Sequence, residues 1–222
     1  MRTRNRVQVI ILLAGMSLIV VNGCKKEDDP NTNPDPIFVT GSFTDARDNN
    51  VYKTVTIGSQ TWMAENLRYE VQDSWFYNND SAKYAVYGRL YTWGSFMMGS
   101  YSSSAVPSGV RGVCPKGWHV PSDAEWTILL DYLGGASVAG YTMKTDTGWA
   151  NDGNGSNASG FTAHPSGNYN GSFNALGNNA YFWSSTEYSA TLSKARVLSN
   201  SMSVIRFGSN KTLGFSCRCL KD

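Results

Sequence analysis

The main helix of the chain is encoded by the segment PSDAEWTILLDYLGG, which runs from Pro121 to Gly135. Ser122 can accept a hydrogen bond from the backbone amide of Glu125, whose side chain can reach back to the amide of Ser122, and this reciprocal pair is a capping box. Apolar side chains then recur at intervals of three and four residues and form one stripe: Trp126, Leu129, Leu130 and Leu133. Gly134 and Gly135 can end the helix, because glycine adopts the left-handed conformation without strain. We therefore predict a core-facing helix.

Strands are predicted on both sides of this helix. Alternating apolar residues in 51–57, a Gly58-Ser59 turn and a second strand over 60–67 indicate an amino-terminal hairpin. The spacing of Leu90, Trp93 and Met97 then predicts a short helix. Later strands are predicted at 181–185, 195–199, 203–207 and 214–220.

The segment from Trp149 to Ala180 is dominated by Gly, Asn and Ser, and it is predicted to form a long irregular loop. Strands at both ends of the chain, with a helix and this loop between them, indicate an α+β fold. We expect the terminal strands to lie near each other in one sheet.

Composition limits the classes of protein and partner. The chain has 222 residues, of which 41% are hydrophobic and 16% charged, so it can form one well-packed domain and is neither disordered nor fibrous. The net charge is +2, and residues 1–23 contribute three arginines and no acid. Without them, 16 basic residues face 17 acidic ones, a net charge of −1. Nucleic-acid binding therefore lacks its main electrostatic support.

The amino terminus is predicted to be a lipoprotein signal peptide. Three arginines precede an apolar run from Val9 to Val21, which is too short to span a bilayer comfortably and about right for a secretory signal. The segment Val21-Asn22-Gly23-Cys24 resembles a bacterial lipobox. We expect residues 1–23 to be removed and Cys24 to carry lipid; a plain signal peptide or an uncleaved anchor is the alternative.

Residues 24–42 are predicted to form an acidic, proline-rich tether. The run Lys25-Lys26-Glu27-Asp28-Asp29 resembles the signal that sends lipoproteins of the Bacteroidetes group to the outer face of the outer membrane. Three prolines among residues 30–36 make a semi-extended spacer. The expected location is therefore the outer membrane, with the domain of residues 43–222 held at the cell surface by a lipid anchor.

Three cysteines lie within the predicted domain. Export makes a disulfide plausible, and Cys217 and Cys219 share one face of a predicted strand, so they cannot readily bond to each other. Cys114 is therefore expected to form the disulfide, with Cys219 as the preferred partner and Cys217 as the alternative. One thiol is left over in either case. A Cys-x-Cys metal or redox site is the competing interpretation.

Six segments together resemble the Fibrobacter succinogenes major paralogous domain, a family of secreted or surface proteins. They occur in the family order over residues 43–222: Thr54–Leu67, Tyr87–Trp93, Cys114–Trp126, Ser159–Ala163, Phe182–Glu187 and Arg218–Asp222. Cys219 falls on the closing Arg-Cys pattern of the family, and this supports Cys219 as the partner of Cys114.

A second, more distant resemblance concerns the fold. Val120–Trp126 looks like the helix start of the formylglycine-generating enzyme group, and Gly214–Cys219 looks like the ending of that group. This resemblance implies a C-type-lectin-like architecture. It does not carry over the chemistry, because the active-site thiol arrangement of that group is not found.

The sequence does not predict an enzyme. It contains none of the common nucleophile, zinc-protease or phosphate-loop motifs. His119 matches a position of the family motif and is expected to be a structural, hydrogen-bonded residue, whereas His164 is expected to be solvated or to support a loop. Glu125 is engaged in capping, and we therefore predict no catalytic residue.

Loop oxygens that could bind calcium and surface aromatic residues are the candidate binding features of the sequence. Asp152, Asn154 and Asn157 offer oxygen ligands for calcium, but their spacing does not match an EF-hand, and we favour a turn-rich loop and no cofactor. Aromatic faces beside polar residues suit sugar stacking or protein contacts. The predicted ligand-binding residues are Trp149, Asn170, Tyr188 and Arg206, with Trp183 expected in the core.

The predicted function is a non-catalytic binding module for a glycan or an envelope protein, displayed at the cell surface. The alternative is an enzyme or accessory subunit of a polysaccharide-degrading system. The oligomeric state does not follow from the sequence.

Overall fold

The two ends of the described chain meet in one antiparallel sheet. The computed structural model describes residues 38–222. This sheet contains β1 (Val39–Thr44), β2 (Val51–Ile57), β3 (Gln60–Met63), β6 (Trp118–His119) and β13 (Leu220–Lys221), in the order β1-β2-β3-β13-β6. Leu220 of β13 pairs with Trp62 on one side and with His119 on the other. The prediction that the terminal strands share a sheet is confirmed.

The second sheet is mixed and contains the late strands. Its members are β4 (Ser74–Phe76), β5 (Arg89–Tyr91), β7 (Ser166–Tyr169), β8 (Phe173–Leu176), β9 (Ala180–Glu187), β10 (Leu192–Leu198), β11 (Val204–Asn210) and β12 (Phe215–Ser216). The main path runs β11-β10-β9-β12-β5-β4, and β7 pairs with β8 and β9. β12 and β7 both run parallel to β9. β11 lies at the edge of the sheet.

Four short α-helices accompany the sheets within residues 38–222: α1 (Ser81–Tyr84), α2 (Trp93–Met97), α3 (Asp123–Tyr132) and α4 (Ala139–Met143). Turns of 3₁₀-helix lie at Tyr77–Asn79 and Ala85–Tyr87. α3 begins with the predicted capping box: Ser122 Oγ accepts from the Glu125 amide at 3.2 Å, and Glu125 Oε2 accepts from the Ser122 amide at 2.8 Å. The α+β class is confirmed.

The apolar stripe of α3 packs into the larger of two core clusters, as predicted. Trp126, Leu129 and Leu130 are buried there, and Leu133 packs against the same cluster. The indole rings of Trp126 and Trp62 lie 4.7 Å apart, which joins α3 to β3. A second cluster surrounds the cysteines and contains Trp183, as expected for a core residue. Burial of these large aromatic groups is the main source of stability.

Three boundaries differ from the sequence predictions. β1 begins at Val39, so the last residues of the predicted tether, up to Ser42, pair with β2. β3 ends at Met63 rather than Leu67, because the following residues turn to hydrogen-bond with other segments. Leu90 belongs to β5, and the short helix begins only at Trp93.

The predicted irregular loop over 149–180 contains more regular structure than expected. β7 and β8 form a hairpin within it. The buried guanidinium of Arg218 also fixes the middle of this segment, because it donates to the carbonyl oxygens of Phe161 and Thr162. Cation–π contact with the Phe161 ring, 4.4 Å from the guanidinium carbon, adds to this attachment.

The predictions for the amino terminus fall on residues that the structure does not describe. The signal peptide of residues 1–23, lipidation of Cys24 and the tether as far as residue 37 lie outside the described range. Within residues 38–222, none of the helices has the length and apolar character needed to cross a bilayer.

Candidate functional site

The candidate site lies on the sheet face beside the first turn of α3. β10 and β11 pair so that Leu198 lies opposite Val204, Arg196 opposite Arg206, and Lys194 opposite Gly208. Alternate residues of a strand share a face, so all six positions belong to the face that α3 covers. Leu198 and Val204 are buried with the apolar stripe of α3. The pairs Arg196–Arg206 and Lys194–Gly208 therefore lie on the same face of the sheet, beyond the amino-terminal end of α3.

One carboxylate meets the three cations of this face. Asp123, the first residue of α3, contacts Arg196 Nη2 at 2.8 Å, Arg206 Nη2 at 2.6 Å and Lys194 Nζ at 3.5 Å. Its backbone amide donates to Thr186 Oγ1, which holds the turn against β9. A single negative charge can neutralise only one of three positive charges. The cluster therefore keeps an excess of positive charge.

The three cations differ in exposure. Arg196 is buried, and its Nε has no hydrogen-bond partner among residues 38–222. Burial lowers the pKa of Arg196, which the negative charge of Asp123 only partly opposes. The side chain of Arg206 is 51% exposed and that of Lys194 is 24% exposed. Arg206 and Lys194 are therefore the two cations that a molecule in solution can reach.

A surface pocket of about 400 Å³ adjoins these two cations. It is lined by Tyr188, Lys194, Arg206, Phe207 and Gly208. The Tyr188 ring lies directly on Gly208: a Cβ atom at that position would stand 3.1 Å from Tyr188 Cδ1. Glycine is needed here for the ring to approach the strand so closely. The pocket thus combines an exposed aromatic ring with two cationic side chains.

The structure brings together two of the four predicted ligand-binding residues. Tyr188 and Arg206 line the same pocket. Asn170 does not line it; it lies at the turn between β7 and β8, where its Oδ1 accepts from Asn174. Trp149 is a wrong prediction, because it is buried in the core with its indole N–H bonded to Thr145 Oγ1.

Sequence reasoning missed five residues of the site: Asp123, Lys194, Arg196, Phe207 and Gly208. Asp123 falls in the predicted first turn of the helix, where its position in the sequence gives no sign of the distant cations. A basic residue and a glycine on a polar strand give no signal by themselves. The strand pairing that places Lys194 opposite Gly208 is the information that was lacking.

Two of the three calcium candidates use their oxygens within their own loop. Asn154 Oδ1 accepts from the amide of Trp149, and Asn157 Oδ1 accepts from the amide of Thr162. Asp152 is exposed. These amide groups shape the turns of the loop, and the expectation of no cofactor stays a prediction.

His119 lies between two carboxylates. Its Nε2 is 2.9 Å from Glu125 Oε1 and its Nδ1 is 2.8 Å from Asp222 Oδ1. Burial acts to lower the pKa of His119, but the hydrogen bonds to Glu125 and Asp222 outweigh it and raise the pKa. Both ring nitrogens are engaged, so His119 has the structural, hydrogen-bonded role that the sequence predicted. By contrast, burial and the charge of Arg218 lower the pKa of His164 to about 4, so that ring is neutral.

The preferred cysteine pairing is confirmed, because Cys114 and Cys219 form a disulfide. The leftover thiol, Cys217, is buried with its sulfur 3.8 Å from the sulfur of Cys219. Burial strongly raises the pKa of this thiol. The three sulfurs are close enough together for a metal ion, but two of them are bonded to each other. The cluster therefore offers one protonated thiol.

Comparison with known proteins identifies one family. The model of the Fibrobacter succinogenes major domain matches residues 55–221. No curated protein and no solved structure matches the chain. The C-type-lectin-like architecture implied by the more distant resemblance stays a prediction.

Proposed function

The chain belongs to the Fibrobacter succinogenes major domain family, and from that premise we propose that it is a non-catalytic module that binds a glycan at the pocket of Tyr188, Lys194 and Arg206. The proposal includes display at the bacterial surface through a lipid on Cys24.

The exposed ring of Tyr188 is the observation that carries this proposal. Two-thirds of the residue is exposed, although it packs against Gly208. An aromatic face beside hydrogen-bond donors suits a sugar ring, because apolar C–H groups stack on the aromatic face while hydroxyl groups reach the donors. Lys194 and Arg206 supply such donors at the same pocket.

The size of the pocket favours a glycan over an envelope protein. Its volume of about 400 Å³ lies within the range of small-molecule sites. Protein interfaces instead bury roughly 800 Å² on each partner around a cluster of hydrophobic side chains. A short stretch of oligosaccharide fits a site of this kind better than a folded partner does.

The contacts of His119 and Glu187, two groups that could serve as acid or base in an enzyme, also support a non-catalytic role. Both ring nitrogens of His119 are bonded to carboxylates. The Glu187 carboxylate is paired with Lys211. Each group would have to break an ion pair before it could transfer a proton to or from a substrate.

A glycan array with the full chain in detergent tests the proposal. Binding should be lost in Tyr188→Ala and kept in Tyr141→Ala, a matched control that removes an exposed tyrosine from α4. Failure of the wild-type chain to bind any glycan would overturn the proposal. So would polysaccharide cleavage that disappears in a folded His119→Ala or Glu187→Ala variant, because that result would show an enzyme.

Surface display has a separate test. Mass spectrometry of the chain purified from membranes should find lipid on Cys24, and Cys24→Ser should be released from the membrane fraction. An unlipidated Cys24 in the membrane-bound chain would contradict the proposed anchor.

A further inference from the structure

We infer that the glycan bound at this pocket is acidic, with a carboxylate or sulfate group held by Arg206 and Lys194 while its sugar ring stacks on Tyr188. This inference rests on the proposed function and names the chemical class of its ligand.

The first argument is the charge imbalance around Asp123. Three cations share this one carboxylate. Asp131, two turns along α3, acts on Arg196 through its charge alone. Even with both acids counted, positive charge remains in excess. An anion from solution would complete the neutralisation.

The excess is a local feature and does not reflect the composition of the domain. Residues 43–222 contain 14 basic and 13 acidic residues, so the domain is nearly neutral. Three of those basic residues nevertheless meet on one small area of two paired strands. Placing like charges side by side across strands is destabilising unless an opposite charge offsets it. A bound anion gives this arrangement a physical reason.

The second argument is the geometry of Arg206. It contacts Asp123 through Nη2, and half of its side chain is exposed at the pocket. A guanidinium group has five N–H donors in a planar fork that matches the two oxygens of a carboxylate. The contact with Asp123 is made through Nη2, which carries two N–H groups, so a contact through one of them leaves one paired edge of the fork open to a ligand carboxylate. Arg206 can therefore keep its bond to the protein and bind a ligand carboxylate as well.

The third argument is the position of Lys194 relative to the aromatic ring. Lys194 lies opposite Gly208 in the strand pairing, and the Tyr188 ring lies on Gly208. The side chains of Lys194 and Tyr188 line the same pocket, and Arg206 lies two residues before Gly208 in β11. A pyranose ring stacked on Tyr188 would place its acidic substituent among these two cations. A neutral sugar would leave the excess positive charge around Asp123 in place.

Titration calorimetry with defined oligosaccharides tests this inference on the full chain. The probes are hexagalacturonate, which carries carboxylates, a heparin-derived hexasaccharide, which carries sulfates as well, and neutral maltohexaose. We expect at least one acidic probe to bind tenfold or more tightly than maltohexaose, and its affinity to fall as salt concentration rises. The first two probes distinguish carboxylate from sulfate recognition.

Variants connect the binding to the named residues. Arg206→Gln should weaken acidic binding at least tenfold, whereas Arg111→Gln, which removes an exposed arginine from a different pocket, should leave it unchanged. Thermal unfolding of both variants checks that they fold. Lys194→Gln supplies a second variant if Arg206→Gln does not fold.

The outcomes separate the inference from the function on which it rests. Equal affinity for neutral and acidic probes, or full acidic binding by a folded Arg206→Gln, would overturn the acidic ligand and leave glycan binding intact. No binding to any oligosaccharide would overturn both. Binding of hexaglutamate in place of every sugar would also overturn both, because the site would then recognise an acidic peptide.

Discussion

Removal of the disulfide should cost much of the stability of the domain. Cys114 and Cys219 are both buried, and the bond between them closes a loop with a sequence separation of 105 residues. The chain-entropy relation gives about 4.7 kcal/mol of stabilisation at 25 °C for a loop of that length. We therefore expect Cys114→Ala/Cys219→Ala to lower the free energy of unfolding by about 4–5 kcal/mol. Natural domains have only about 5–15 kcal/mol in total.

Urea denaturation followed by tryptophan fluorescence measures this loss, because several indole rings are buried. Cys217→Ala is the matched control: it removes a buried cysteine from the same cluster but keeps the cross-link, and it should cost about 1 kcal/mol. The double variant should also show a steeper dependence on urea, since its unfolded chain is less compact. A double variant within about 1 kcal/mol of the control would refute the argument that the cross-link acts by restricting the unfolded chain.

Three further predictions concern ionisable groups. Asp123→Asn should destabilise the domain by about 3 kcal/mol in urea denaturation, because Arg196 would stay buried without its charge partner. The control Asp131→Asn, at an exposed position, should cost under about 0.5 kcal/mol. The pKa of His119 is raised in the folded protein, so the stability that its protonation contributes is complete below the ordinary histidine pKa of about 6.5 and is lost as pH rises through the folded-state pKa. Tm measured against pH should show this loss in the wild type and not in His119→Gln. Cys217 should resist iodoacetamide in the native protein and react after unfolding in urea, because burial keeps its thiol protonated; rapid native labelling, seen by mass spectrometry, would contradict this.

The sequence predicted α3 well because the determinants of that helix are local. The capping box joins two residues three positions apart, and the apolar stripe follows the helical period. The amino-terminal hairpin was also predictable, since its turn directly connects β2 and β3. In each case the interacting groups lie within a few residues of one another.

The candidate site could be predicted only in part, because its contacts are distant in sequence. Asp123 meets Arg196 across 73 positions. Tyr188 and Arg206 were found by residue type alone, as an aromatic and a cationic group in polar surroundings. The same reasoning failed for Trp149, which has a similar local sequence context but is covered when the 149–180 segment folds onto the core. Burial depends on tertiary packing, which residue type does not reveal.

The first turn of α3 lies within Cys114–Trp126, one of the segments that resemble the family. Glu125 bonds to His119 in the five-stranded sheet, and the indole N–H of Trp126 donates to the carbonyl of Trp183 in the mixed sheet. One helical turn thus connects both sheets, and a change in any of these groups would disturb two interfaces at once. This requirement fixes the residue types of the segment.

The residues that give the pocket its chemistry lie outside the family motifs. Tyr188 follows the motif that ends at Glu187, and Lys194 and Arg206 fall between that motif and the final one. Asp123 alone belongs both to a motif and to the charged cluster. We therefore propose that the motifs build the frame and that β10, β11 and the segment between β9 and β10 supply the ligand-binding side chains on it.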